Sequence, residues 1–180
     1  LVNTMKKCII LQINYLILIC LFIPCVAIAQ PICQIQRFSA YNGLAQRSVT
    51  NILQDSKGFI WFSTWNGLNK FDGYTFKNYK AFPGDGCTLT SNRLAKITQT
   101  QTCDIWCQTY DLRIYLFDSR REKFIDILRP YENEKQQTYA VQNVYTLPKG
   151  VSWIVCDRGA FRIDEQAYKA QEGEGITLYN

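Results

Sequence analysis

The sequence predicts an all-β chain assembled from a repeated, sheet-sized unit, and three observations carry that prediction. Tryptophans recur at positions 61, 106 and 153, so their spacings are 45 and 47 residues. Around each one the landmarks keep register: a β-branched residue nine before (Ile52, Ile97, Val144) and an aspartate 11 or 12 after (Asp72, Asp118, Asp164). Between the landmarks, apolar residues fall in short runs separated by Gly, Asn and Asp, and no stretch long enough for a globular helix shows a 3.6-residue period. A unit of this length lies in the range of a propeller blade. The expected architecture is an incomplete β-propeller of about three four-stranded blades in an open arc, following an N-terminal signal peptide.

The leader comes first. Leu1 to Thr4 precede Met5 as an upstream extension or alternative start. Lys6-Lys7, an apolar run from Cys8 to Val26, and Ala27-Ile28-Ala29 before Gln30 supply the basic, hydrophobic and small-x-small parts of a secretory signal. Residues 1–29 are assigned to it, with cleavage after Ala29. An uncleaved anchor is the alternative, since the run approaches spanning length, although Gln12 and Asn14 interrupt it. Residues 30–48 form a lead-in, in which Ile35 to Phe38 is expected to be a strand.

In unit one (49–83), Val49 to Gln54 is the first strand and Asp55-Ser56-Lys57-Gly58 a turn with glycine where positive φ is wanted. Phe59 to Thr64 is an apolar second strand. Asn66-Gly67 is a hairpin signal, Leu68 to Phe71 the third strand, and Asp72-Gly73 the turn into an outer strand, Tyr74 to Tyr79. Unit two (89–130) repeats this with Leu94 to Thr98, Ile105 to Thr109, Arg113 to Phe117 and Lys123 to Leu128. Cys103 and Leu112 stand there in place of the two turn glycines. Unit three (141–168) has Val141 to Leu147, Val151 to Cys156 and Ala160 to Ile163, with Gly150 and Gly159 at the turns. Residues 169–180 are a polar stretch followed by Ile176 to Tyr179, the expected start of a further blade.

The phrases Asn42-Gly43-Leu44, Val49-Thr50-Asn51-Ile52-Leu53-Gln54-Asp55, Gly58-Phe59-Ile60-Trp61-Phe62 and Asn66-Gly67-Leu68-Asn69-Lys70-Phe71-Asp72-Gly73 resemble the two-component regulator propeller repeat. The resemblance covers roughly residues 35 to 165, strong in unit one and degenerate afterwards. It implies the extracytoplasmic N-terminal sensor propeller of a hybrid two-component histidine kinase, a class of which many members respond to glycan breakdown products. It also implies a larger parent, anchored in the inner membrane, with kinase, receiver and DNA-binding output parts that this chain does not contain. About three blades cannot close a ring. The chain is therefore expected to be a fragment with two exposed blade faces, whose partners are the missing blades or the rest of a sensor kinase, an oligosaccharide, or a second copy in a homodimer.

Composition narrows the chemistry. The chain has 180 residues, 47% hydrophobic and 19% charged, too apolar and weakly charged for a disordered segment. The net charge is +5, and Lys6 and Lys7 of the leader contribute to it. That is no nucleic-acid footprint, which needs clustered basic residues. There is no histidine, which excludes His-dependent triads, His-ligated zinc and a phospho-accepting histidine. No catalytic residue, metal site or cofactor is expected. Of eight cysteines, Cys8, Cys20 and Cys25 lie in the leader, while Cys33, Cys87, Cys103, Cys107 and Cys156 read as thiols, several of them buried hydrophobes.

Trp61, Trp106, Trp153, Gly67, Gly159, Asp72, Asp118 and Asp164 recur and read as the structural repeat. Asp55 joins them as a turn cap. The candidate ligand residues are those that break the repeat at loop tips: Trp65, Asn66, Arg93, Tyr110, Asp111, Arg113 and Arg158. Aromatic rings beside guanidinium and amide groups suit sugar or uronate recognition, because a ring stacks on the apolar face of a pyranose and guanidinium pairs with carboxylate. The alternative function is a fragment of a secreted propeller enzyme, a glycoside hydrolase or polysaccharide lyase. It would need carboxylates outside the repeat, and Glu132, Glu134 and Glu172 are the off-repeat acids.

Overall fold

The computed structural model describes residues 2–22, 35–81, 89–171 and 174–179. They belong to two units, Leu1–Arg37 and Phe38–Asn180. The first contains α1 (Val2–Phe22), on which Ile9, Leu11, Leu16 and Leu18 are exposed. Among the described residues no helix is long and apolar enough to cross a membrane. The expected cleavage site at Ala27-Ile28-Ala29, together with Cys25, Cys33, Cys87 and Glu172, lies outside the described residues.

The second unit is a run of three antiparallel four-stranded sheets. Sheet one is β1 (Val49–Gln54), β2 (Ile60–Thr64), β3 (Gly67–Phe71) and β4 (Phe76–Tyr79). Sheet two is β5 (Leu94–Gln99), β6 (Ile105–Thr109), β7 (Ile114–Asp118) and β8 (Lys123–Asp126). Sheet three is β9 (Val141–Leu147), β10 (Val151–Cys156), β11 (Gly159–Asp164) and β12 (Ile176–Tyr179). Each strand pairs with its sequence neighbours, so every sheet is a simple up-and-down meander.

The sheets are copies in detail. Each first strand carries a register shift at the same place, between Val49 and Asn51, Leu94 and Lys96, and Val141 and Asn143. A bulge there leaves one residue unpaired and sharpens the local twist. Two turn positions also recur in the left-handed region. The position three before tryptophan has φ of 88° at Gly58, 65° at Cys103 and 72° at Gly150. The position six after it has 97° at Gly67, 59° at Leu112 and 129° at Gly159. Unit two thus holds non-glycine residues where glycine is the unstrained choice. At Gly67 the requirement is also steric, because a Cβ would lie 2.3 Å from the Tyr79 carbonyl oxygen.

Opposed residues across a sheet share a face, which divides sheet one into an Ile52, Phe62, Asn69 side and a Leu53, Trp61, Lys70 side. The Trp61 side packs on sheet two in one core with Leu68, Tyr79, Leu94, Ile97, Cys107, Tyr115 and Phe117. Trp61 meets Phe117 edge-on at 5.7 Å between ring centroids. The Trp106 side of sheet two packs on sheet three in a second core with Leu116, Val144, Ile154, Cys156 and Phe161. The indole N–H groups are satisfied differently: Trp61 donates to Asp55 within its own turn at 2.8 Å, and Trp106 to Ser152 Oγ of the next sheet at 2.9 Å.

The structure departs from the sequence reading in four places. Ile176 to Tyr179 does not begin a further blade. It pairs with β11 as the outer strand of sheet three, Ala160 opposite Tyr179 and Ile163 opposite Ile176, because Ile176 and Leu178 complete the cover over the Phe161 core. Two polar connections are short helices, α2 (Arg129–Lys135) and α3 (Glu165–Ala170). Six or seven residues are too few to show a helical period, but their end signals are in the sequence. Pro130 sits in the first turn of α2, and Asp164 caps α3 by accepting from the Ala167 N–H at 3.1 Å. The lead-in from Ile35 to Phe38 is irregular rather than a strand, followed by a 3-10 turn at Ala40–Asn42. Phe38 packs on Phe71 and Phe76, at 4.8 and 5.5 Å between centroids. Finally, the three indoles are not equally buried: Trp61 and Trp106 are fully buried, while Trp153 is half-buried beside Tyr179.

Candidate functional site

At the second-to-third-strand turns the repeat is broken most often, and backbone hydrogen bonds tie each turn to the start of a first strand. The Trp65 N–H donates to the Ser48 carbonyl at 3.3 Å, the Tyr110 N–H to Arg93 at 3.0 Å, and the Asp157 N–H to Ala140 at 3.0 Å. These are equivalent bonds in the three sheets. They cross-link adjacent sheets as well, since the Gly67 N–H donates to Asn92 at 2.8 Å and the Val141 N–H to Leu112 at 2.7 Å. The turn residues therefore stand on a rigid end of the sheets, not on free loops.

The structure brings three of the candidate residues together. The Trp65 and Tyr110 rings meet at 85° with centroids 6.2 Å apart. The Arg93 guanidinium lies 5.5 Å from the Trp65 ring, within the range of a cation–π contact. All three are exposed, Trp65 at 46% and Tyr110 at 54%. Among the described residues the Arg93 guanidinium has no carboxylate partner. Two aromatic faces and a cation are thus presented to solvent on one surface.

Next to this trio, Asp111 accepts from Thr90 Oγ1 at 3.0 Å, and that hydroxyl is 2.8 Å from the Tyr115 hydroxyl. Asn66 is turned inward: its N–H donates to Thr64 Oγ1 at 3.1 Å and its Nδ2 to the Ala45 carbonyl at 3.4 Å. Arg158 lies in the turn of sheet three, where its side chain contacts Asp157 at 3.5 Å and Gln137 at 3.4 Å.

Arg113 has a different role from the one its position in the sequence suggests. It donates to both Glu132 oxygens, at 2.5 and 2.7 Å, and to Asp126 at 3.0 Å. The three side chains are only 18%, 10% and 5% exposed. Its hydrogen bond to Glu132 raises its pKa further, against the opposing effect of burial. Burial works against the charged form of Glu132, but hydrogen bonds from Arg113 and the Tyr139 N–H outweigh it and hold the carboxyl below its ordinary value. Glu132, one of the off-repeat acids, is therefore committed to fastening α2 to sheet two. No group of three or more metal-ligating side chains occurs among the described residues.

The repeat aspartates serve their own turns. Asp72 Oδ1 accepts from the Tyr74 and Thr75 N–H groups at 2.8 and 2.7 Å, and Asp118 Oδ1 from Arg120 and Arg121 at 2.8 and 2.9 Å. Asp55 accepts from Lys57, Phe59 and Trp61. At the opposite end of the sheets, Glu165 accepts from Ser152 Oγ and from the Gln101 N–H, and Lys169 pairs with Asp104 at 2.9 Å. That network borders a partly open pocket of about 30 Å³, room for one water. Sequence reasoning missed it because its anchor, Ser152, occupies a position held by Ile60 and Ile105 in the other units.

Comparison with known proteins agrees with this architecture. Residues 43–66 match the family model described as two component regulator propeller. A stretch of 53 residues is 47% identical to histidine kinase P4 of Formosa agariphila, covering 29% of this chain and 4% of that protein. The extracellular domain of a hybrid two-component system from B. thetaiotaomicron superimposes with a TM-score of 0.62 at 27% identity, over 81% of this chain and 20% of that one. A second extracellular domain from B. thetaiotaomicron, of a one-component system, has a TM-score of 0.54 at 20% identity, covering 82% of this chain and 21% of that one, a likeness of fold alone. The chain thus spans a small part of the proteins it matches. It carries a two-component regulator propeller repeat, set in a run of blades of the kind that builds extracellular two-component sensor domains.

Proposed function

We propose that the three sheets are a ligand-recognition segment of the extracytoplasmic propeller of a two-component sensor, and that the Trp65–Arg93–Tyr110 cluster receives a glycan-derived oligosaccharide bearing a carboxylate. The observation that carries this reading is the juxtaposition itself: two exposed aromatic rings at 6.2 Å and a guanidinium over one of them. A pyranose stacks on such rings through its C–H face, and a uronate carboxylate gives Arg93 the anionic partner it lacks among the described residues. In this reading the chain is exported behind its N-terminal signal, and its working partner is the remainder of a membrane-anchored histidine kinase. Blades one and two are residues 49–83 and 89–130, and blade three runs from 141 through Tyr179.

The test is isothermal titration of the purified chain with a uronate-containing oligosaccharide and with its neutral counterpart. The expected result is binding of the acidic sugar without turnover, weakened about tenfold or more by Trp65→Ala or Arg93→Ala. Equal affinity for the neutral sugar, or binding that survives both substitutions, overturns the assignment of this site.

A further inference from the structure

The repeat places a short side chain where Arg93 stands. In sheets one and three the Ser48 and Ala140 carbonyls accept from the Trp65 and Asp157 N–H groups, as the Arg93 carbonyl accepts from Tyr110 at 3.0 Å. The cation is therefore peculiar to the joint between sheets one and two. Its backbone is held at both polar groups, because the Arg93 N–H donates to Ser91 Oγ at 3.2 Å.

The residue before it supplies the anchor. Asn92 Oδ1 accepts from the Ala81 N–H at 2.8 Å and its Nδ2 donates to the Ala81 carbonyl at 3.0 Å, so one side-chain amide pairs with both backbone groups of a single residue. Ala81 in turn packs against the core shared by sheets one and two. The Asn92 carbonyl accepts from the Gly67 N–H at 2.8 Å, within the turn that carries Trp65. At the equivalent positions before Ser48 and Ala140 stand Arg47 and Tyr139. A guanidinium only donates, and a phenol lacks the paired donor and acceptor of an amide. Thr90 adds a second tie on the same segment, its N–H donating to the hydroxyl of the buried Tyr115 at 3.2 Å.

We propose that Asn92 is a positioning residue: its amide pair with Ala81 holds the Arg93 guanidinium over Trp65 and so gives the Trp65–Tyr110 surface its preference for an anion. An exposed arginine spreads its charge over many rotamers, and ordering such a side chain at the moment of binding weakens affinity. With its backbone pinned by Asn92 and its guanidinium resting on an indole, Arg93 is ordered before any ligand arrives. That the anion is a uronate rests on the sugar reading above, whereas the positioning itself is independent of it.

Two measurements on the full chain compare wild type with Asn92→Ala. The first needs no ligand: quenching of Trp65 fluorescence by iodide and by caesium, isolated by subtracting the signal of a Trp65→Phe chain. A guanidinium 5.5 Å from the ring attracts iodide and repels caesium. The iodide-to-caesium quenching ratio should therefore fall in Asn92→Ala toward that of Arg93→Ala, with far-ultraviolet dichroism unchanged. The second is titration with the uronate-containing oligosaccharide and its neutral counterpart, using Asn92→Ala, Arg93→Ala and the double variant. The expected result is a loss of about twofold to about tenfold for the acidic sugar and none for the neutral one. Asn92→Ala should add no further loss to Arg93→Ala, because it acts through that side chain. Where Asn92→Ala does not fold, Asn92→Gln, which sets the amide one methylene further out, is measured in its place. An unchanged quenching ratio overturns the proposal. So do equal losses for the two sugars, or losses that add in the double variant, since either marks Asn92 as a structural residue only. A chain that binds neither sugar but shows the fall in quenching ratio overturns the uronate reading and upholds the positioning role.

Discussion

Replacing Arg113 with alanine separates a structural cation from a ligand-binding one. The substitution leaves Glu132 and Asp126, 10% and 5% exposed, as carboxylates without their cation. Breaking a buried pair by removing one partner costs about 3–5 kcal/mol. Since the Arg113 side chain is 18% exposed, water screens part of the loss and the lower end, about 3 kcal/mol, applies. In a chain of this size each kcal/mol lowers Tm by roughly 2–4 °C, giving a fall of roughly 6–12 °C. The assay is a thermal melt with a parallel urea titration, run beside Arg93→Ala. The exposed Arg93 makes no ion pair among the described residues, and its loss should move stability by no more than about 0.5 kcal/mol. An Arg113→Ala chain that melts like wild type yet loses oligosaccharide binding would refute the assignment and return Arg113 to the ligand surface.

Two further outcomes follow from the turns and the carboxylates. Gly67→Ala puts a Cβ 2.3 Å from the Tyr79 carbonyl oxygen and 2.9 Å from the Lys80 Cβ, so the purified variant should lose about 3 kcal/mol or more in urea unfolding. Leu112→Gly, at the equivalent place in sheet two, relieves a left-handed leucine worth about 1 kcal/mol and should leave stability within about 1 kcal/mol of wild type. The folded pKa values of Glu132 and Asp118 lie below their ordinary values of 4.5 and 3.8; for Asp118, burial is outweighed by the Arg121 and Arg120 N–H groups. Their stabilisation is therefore present above those ordinary values and is lost as pH falls through the folded ones. Tm should hold between pH 7 and about 5 and fall on further acidification, less steeply in Asp118→Asn.

The parts of this protein legible in its sequence are those that repeat. Trp61, Trp106 and Trp153 mark one sheet each because every sheet is built from the same succession of strands and turns, and periodic constraint leaves a periodic trace. Left-handed φ at Gly58, Gly67, Gly150 and Gly159 follows from the same trace. Even the non-glycine occupants of unit two, Cys103 and Leu112, could be placed by register alone.

What escaped the sequence depends on which surface meets which. Arg113 and Arg93 look alike in the chain, both next to turns that break the repeat. Only the folding of α2 against sheet two brings Glu132 to one of them and leaves the other over Trp65. Ile176 to Tyr179 reads as a new beginning until pairing with β11 makes it a fourth strand. Ile52, Ile97 and Val144 are interchangeable letters whose exposure is 61%, 3% and 3% according to whether a neighbouring sheet is present. Local sequence sets dihedral preference and the pattern of faces, because those forces act over a few residues. Burial and ion pairing are properties of two surfaces at once, so they are decided only when the sheets come together.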